Sequence, residues 1–218
     1  MGLFSREKPY DAEFIIQVVS FFGMGGVAKD YQRQVSSFFE KNGANRIKTL
    51  SSAAALINTP STTKELYAVS KAYVWAGAKY RKEAIKYLKE YIKAGAYWEG
   101  LSNSYYYEPS GINISQADVH RSFVFTDLGD ALEGEYEFDE AIEAFQDAIN
   151  LAPHMIHNYI KQSGVYAKVG KIEEGISVLK RSKKQVPKSD IELVNGKIAD
   201  LADKLARGYV YKPRKHSS

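Results

Sequence analysis

The sequence predicts an all-α fold: antiparallel helix pairs stacked as a short solenoid and closed by a C-terminal capping helix. Three observations predict it. Pro153 and Pro187 stand 34 residues apart, and each closes a segment of apolar periodicity. Within the first of those segments apolar residues recur at i, i+3 and i+7, the spacing of one helix face. After Pro187 a last amphipathic stretch opens on a capping-box pattern and ends at Gly208.

Length and composition bound the answer further. A chain of 218 residues can bury a core without disulfides or a metal. Cysteine is absent, which excludes a thiol nucleophile, a disulfide framework and a cysteine metal cage. The hydrophobic fraction of 44% and charged fraction of 26% are those of a soluble globular protein. A net charge of +4 does not by itself imply nucleic acid. The most apolar run, Phe14–Gly26, is shorter than the ~20 residues of a membrane-spanning helix. Arg6, Glu7, Lys8 and Asp11 mix charges where a signal peptide needs a basic start. Arg6 also stands where a myristoylation signal wants Ser or Thr. The expectation is a cytoplasmic protein without membrane contact.

The N-terminal region, 1–61, holds three helical segments. Glu13–Phe22 is rich in β-branched residues, but a lone strand among helices would have no pairing partner, so it reads as a helix broken at Gly23–Gly26. Asp30–Glu40 places Tyr31, Val35, Phe38 and Phe39 on one face, and Arg46–Ile57 does the same with Ile47, Leu50, Ala54 and Ile57. Residues 62–95 form a first helix pair. Thr62 and Glu65 make a capping box, Ala72, Trp75, Ala84, Leu88 and Tyr91 mix small and large places, and Gly77 lies near the turn. Residues 96–121 are an insertion rich in aromatics (Tyr97, Trp98, Tyr105, Tyr106, Tyr107), with Gly100, Asn103, Pro109 and Gly111 breaking any long helix.

Residues 122–155 form the clearest pair. Phe125, Leu128 and Leu132 make one stripe, Ala141, Phe145 and Ala148 the other, and Gly134 marks the turn. Gly129 and Ala141 are small where paired helices must approach closely. Residues 156–188 keep the register with Tyr159, Tyr166 and Leu179, the turn Gly170-Lys171, and Gly175 in the place of Ala141. Residues 189–208 are the capping helix, whose apolar face is Ile191, Val194, Ile198, Leu201 and Leu205. Residues 209–218 are a basic tail with Lys212, Arg214 and Lys215.

Leu128, Gly129, Ala141, Phe145, Ala148 and Pro153, with Phe125 and Leu132 in the remaining aromatic places, resemble the tetratricopeptide repeat. The resemblance spans about Thr62–Arg207, and its specific part is the central unit. It implies a right-handed superhelix without catalytic activity. It also implies a partner peptide or helix held in a concave groove lined by the first helix of each unit. Carried over residue by residue, it places Tyr73, Thr126, Asp130, His157, Lys161 and Lys168 toward that groove. Val69 and Tyr73 stand where members that clamp a C-terminal carboxylate carry the first of their Lys and Asn ligands, which speaks against such a clamp.

The candidate chemistry is sparse. His154 and His157 have metal-ligand spacing, but no third ligand is fixed by sequence. Asp127, Asp130, Glu133, Glu135, Glu137, Asp139, Glu140, Glu143 and Asp147 follow one another without an intervening Lys or Arg, and read as a solvated acidic face. Phosphate-loop, dinucleotide and nucleophile-elbow motifs are missing. The expectation is a non-enzyme with neither cofactor nor metal. Two basic stretches, Lys79–Lys93 and Lys180–Lys188, flank the acidic unit. This alternation suits a charged protein partner or a second copy of the chain. Tyr80, Tyr87 and Tyr91 among the lysines leave a nucleic-acid-associated regulator as the alternative, a reading their helical spacing disfavours. Tyr105, Tyr106 and Tyr107 offer the large amphipathic contact area of a recognition surface.

Overall fold

The computed structural model describes residues 10–23, 25–43, 45–95 and 114–212. Among the described residues there are ten α-helices and no strand. None of these helices is long and apolar enough to cross a membrane. The chain divides into two compact units, Met1–Trp98 and Glu99–Ser218.

The first unit holds α1 (Ala12–Phe22), α2 (Gln32–Asn42), α3 (Arg46–Ala55), α4 (Thr63–Ala76) and α5 (Arg81–Lys93). Asp11 starts α1 by accepting a hydrogen bond from the Phe14 N–H at 2.8 Å. Phe14, Ile15 and Val18 are then fully buried, and this burial outweighs the weak helix propensity of the β-branched residues. Helix α4 is the centre of the unit, packing against α1, α3 and α5. Its start is the capping box expected from Thr62 and Glu65: the Glu65 N–H donates to Thr62 Oγ1 at 3.2 Å, and the Thr62 N–H to Glu65 Oε2 at 3.1 Å. Hydrogen bonds from the Ser61 backbone and hydroxyl hold the Glu65 carboxyl below its ordinary range. Gly77 ends α4 at φ +97°, a conformation L side chains rarely adopt. The α1–α4 contact is joined by an ion pair, Lys64 to Glu13, at 3.2 Å.

The second unit holds α6 (Gln116–Gly134), α7 (Phe138–Leu151), α8 (Ile156–Lys168), α9 (Ile172–Ser182) and α10 (Ile191–Ala206). Each packs on the next, and the alternate helices α6, α8 and α10 also touch in turn. This is the tandem helix pair of a tetratricopeptide-like repeat. Two details differ from the sequence expectation. Helix α6 begins at Gln116, inside the segment read as an insertion, because Ser115 caps it by accepting from the Asp118 N–H. Gly134 is still helical, and the chain reverses at Tyr136 instead, in the left-handed region at φ +65°.

The core of this unit runs through Tyr159, Ile172, Val178 and Leu179 to Val194 and Leu201 of α10. The terminal helix therefore covers the core of the pair before it. Its apolar face ends earlier than the spacing suggested, since Leu205 is 40% exposed. Past Gly208 the chain turns so that the Tyr211 ring meets the edge of Phe138 at 6.1 Å.

Candidate functional site

The groove residues expected in the second unit come together on the face shared by α6 and α8. Asp130 and Glu133 lie one turn apart on α6, and Lys161 and Lys168 two turns apart on α8. The Lys161 ammonium stands 2.8 Å from Asp130 Oδ1. Lys168 pairs with Glu133 and also stands 5.5 Å from the centre of the Tyr211 ring. His157, one turn before Lys161, is close enough to Asp130 and Lys161 to feel both charges.

Burial sets the protonation of this group. Desolvation pushes the Asp130 carboxyl above its ordinary value, and Glu133 adds to that, while Lys161 and His157 oppose it. Desolvation pulls the His157 imidazole down, Lys161 adds to that, and Asp130 opposes. The face thus presents two half-buried ion pairs and an imidazole held toward its neutral form. Paired charges of this kind can exchange partners with charges on a ligand. No nucleophile activated by a base is part of the arrangement.

Thr126 is placed differently from the expectation. It is buried, with its hydroxyl 2.8 Å from the Ser122 carbonyl and 2.7 Å from Asn158 Oδ1. Asn158 donates from Nδ2 to Ser122 Oγ at 3.0 Å, and Ser122 donates to the Ala148 carbonyl at 2.8 Å. Thr126 therefore belongs to a buried polar lock that ties α6 to α7 and α8, and the exposed face begins at Asp130. Nothing in the sequence identified Asn158 or Ser122 as its partners, because both look like ordinary surface residues until the helices are placed.

Tyr73 lies in the first unit and packs within its own helix pair. Its ring stacks on Tyr87 at 5.8 Å with an interplanar angle of 6°, and meets Tyr80 at 5.6 Å. Burial pushes the Tyr73 phenol up, with Tyr87, Glu83 and Tyr80 adding to it. Lys79 and Lys86 stand over the rings of Tyr80 and Tyr87 at 5.4 and 5.0 Å, and Tyr91 is buried against Tyr67. Of the tyrosines considered for stacking on bases, Tyr80 and Tyr87 thus pack on Tyr73 and under lysines, and Tyr91 packs on Tyr67. Tyr105, Tyr106 and Tyr107 lie outside the described residues.

His154 is buried, and its Nδ1 has no hydrogen-bond partner among the described residues. Desolvation alone pulls its imidazole down. No group of three or more His, Asp or Glu side chains among the described residues is arranged to hold a metal.

No family model and no curated protein matches the sequence. Among solved structures the chain is similar to those of MamA. One described as the crystal structure of MamA aligns at a TM-score of 0.47 and 19% identity, over 82% of this chain and 96% of that one. Another, MamA MSR-1 C2, aligns at 0.48 and 20%, over 83% and 96%. A third aligns at 0.38 and 15%, over 94% and 100%.

Proposed function

We propose that the protein is a non-catalytic protein-interaction module whose second unit holds a partner peptide or helix along the α6/α8 face. One observation carries the reading: the half-buried ion pairs of Asp130 with Lys161 and Glu133 with Lys168 bridge two helices on one face, with His157 exposed beside them. Such a strip offers a ligand complementary charges without a reactive group among them. The alternating charge of the sequence extends the reading to self-association, with an acidic face on one copy meeting a basic one on another. Tyr105, Tyr106 and Tyr107 remain proposed partner contacts on their sequence alone. Tyr73 contributes at most the edge of its stacked ring.

The test is site-specific photo-crosslinking in the native lysate. A photo-reactive residue at His157 is expected to trap a discrete partner, whereas one at Glu192, exposed on α10, is not. Replacing Asp130 and Lys161 together by alanine should abolish the His157 adduct while the protein stays folded. Equal trapping at both positions, or an adduct unaffected by the double replacement, overturns the assignment of this face.

A further inference from the structure

We propose that the cleft between α7 and α9 is a second ligand site, and that it takes a short acidic peptide segment. It uses none of the residues of the α6/α8 face, so it stands or falls independently of that reading. The cleft is open to solvent along one side and has a volume of about 700 Å³, within the roughly 300–1,000 Å³ range of ligand sites. Its floor is apolar and fixed: Ile149, Pro153 and the Tyr159 ring, whose hydroxyl donates to the Pro153 carbonyl at 3.0 Å.

The wall of the cleft is built of donors. Lys180 and Arg181 line it from α9 and Lys184 from the turn that follows, and no carboxylate is among the lining residues. A directional chain of side-chain amides supplies the α7 wall. Buried Gln162 donates from Nε2 to Gln146 Oε1 at 3.3 Å, and Gln146 donates from Nε2 to Asn150 Oδ1 at 2.9 Å. Each step consumes an acceptor, so the group left at the end of the chain is the Asn150 NH₂. Three cations and a terminal amide donor call for a ligand that brings acceptors and negative charge.

The geometry also selects among anions. Phosphate sites gather backbone N–H groups at a helix N-terminus or a nest. Here the lining residues of α7 and α9 have their N–H groups spent inside the helices, and in the turn after α9 the Lys184 and Gln185 N–H groups donate to the Arg181 and Ser182 carbonyls. Lys180 stands near the end of α9 and Lys184 in the turn that follows it, so the cations are spread across the end of the helix rather than gathered in a single clamp. Cations spread along a wall suit carboxylates spread along a peptide. A nucleic-acid strand is opposed by the exposed Asp139, Glu140, Glu143 and Asp147, which continue along α7 and repel a polyphosphate. A short acidic segment, ending on the apolar floor, meets Lys180, Arg181 and Lys184 and no carboxylate of the lining.

The probe is a fluorescein-labelled amphipathic peptide with glutamate at every fourth position and leucine beside it, titrated into the full chain and followed by anisotropy. Binding is expected at low salt, weakened at moderate salt. The double variant K180E/K184E should bind roughly tenfold or more weakly, and Asn150→Leu a few-fold more weakly. K86E/K93E, exposed on α5 of the first unit, should bind as the wild type does. Lysines near the end of α9 also favour the helix itself, so melting of each variant is measured alongside. The site is overturned if the wild type does not bind the peptide or if the double variant binds it unchanged while folded. The ligand class is overturned if a thymidine oligonucleotide or inorganic phosphate competes as well as unlabelled peptide. Sedimentation covers the remaining occupant: a dimer lost in K180E/K184E would assign the cleft to a second copy and overturn the peptide partner.

Discussion

A Cβ placed on Gly129 would lie 2.7, 2.8 and 2.9 Å from three atoms of the Phe145 ring. Phe145 is fully buried and has nowhere to retreat, so α6 and α7 are as close as a glycine permits. Gly129→Ala gains up to ~1 kcal/mol of helix propensity but overpacks a rigid contact, which costs about 1–3 kcal/mol. The overpacking wins, and a net loss is expected. Gly164 on α8 is the control, because a Cβ there meets nothing within 4 Å. Gly164→Ala should stabilise by about 0.5–1 kcal/mol. Urea midpoints of the two variants are expected to move in opposite directions, and a shift of the same sign would remove the close-crossing assignment.

Much of this packing is legible in the sequence, in a form that only the structure explains. Ala72 and Ala84, Gly129 and Ala141, and Ser163 and Gly175 are each twelve residues apart, one member on each helix of a pair. All six are buried. In the last pair the glycine has changed helix: a Cβ on Gly175 would lie 2.8 Å from the Ser163 carbonyl oxygen. This unit, which keeps only the register of the repeat pattern, thus keeps the close approach by exchanging the two sides of it. What was not legible is set by backbone and long-range contact. The turn at Tyr136, not at Gly134, places a non-glycine residue in a left-handed conformation that no propensity favours. The early start of α6 depends on the Ser115 cap, which lies in a stretch that otherwise reads as loop.

The buried lock around Thr126 makes a second prediction. Asn158→Ala strips a donor from Ser122 and an acceptor from Thr126, both without access to water. The expected loss is about 1–3 kcal/mol. Thr126→Ala is expected to lower the melting temperature, where a groove residue would change only partner capture. A Thr126→Ala variant that melts normally and binds poorly would return Thr126 to the groove. The sequence could not decide this, because Thr126 and Asp130 are one turn apart on the same helix. Which of them meets α8 and which meets solvent depends on the crossing of the helices.

Burial of His154 gives a third prediction, in pH. Desolvation lowers its folded-state value below the ordinary 6.5, so between those two values the unfolded chain binds more protons. Stability contributed by the neutral imidazole is complete above about 6.5 and is lost as pH falls toward the folded value. His157 acts in the same direction. Asp130 acts oppositely in a lower range, its raised carboxyl contributing stability below its ordinary 3.8 that is lost as pH rises through the folded value. Melting temperature is therefore expected to fall as pH drops from 7 toward 5. His154→Leu should flatten that slope, and an unchanged slope would show that the imidazole titrates alike in the folded and unfolded chain.

The terminal helix separates two readings of its apolar stripe. If α10 caps the preceding pair, its positions contribute unequally, because only Val194 and Leu201 are fully covered. Leu201 also reaches the Gly175 backbone, its Cδ1 lying 3.3 Å from where a Cβ would stand. If the same stripe were the seam of an intermolecular coil, Ile191, Val194, Ile198, Leu201 and Leu205 would all be buried against another chain. Leu201→Ala is expected to cost about 2–5 kcal/mol, the range for a core leucine. Leu205→Ala, at a position 40% exposed, should change stability by about 0.5 kcal/mol or less. A cap also unfolds at a midpoint independent of protein concentration, whereas a coil gains stability as concentration rises. Equal losses at Leu201 and Leu205, together with a midpoint that climbs with concentration, would replace the cap by an intermolecular coil.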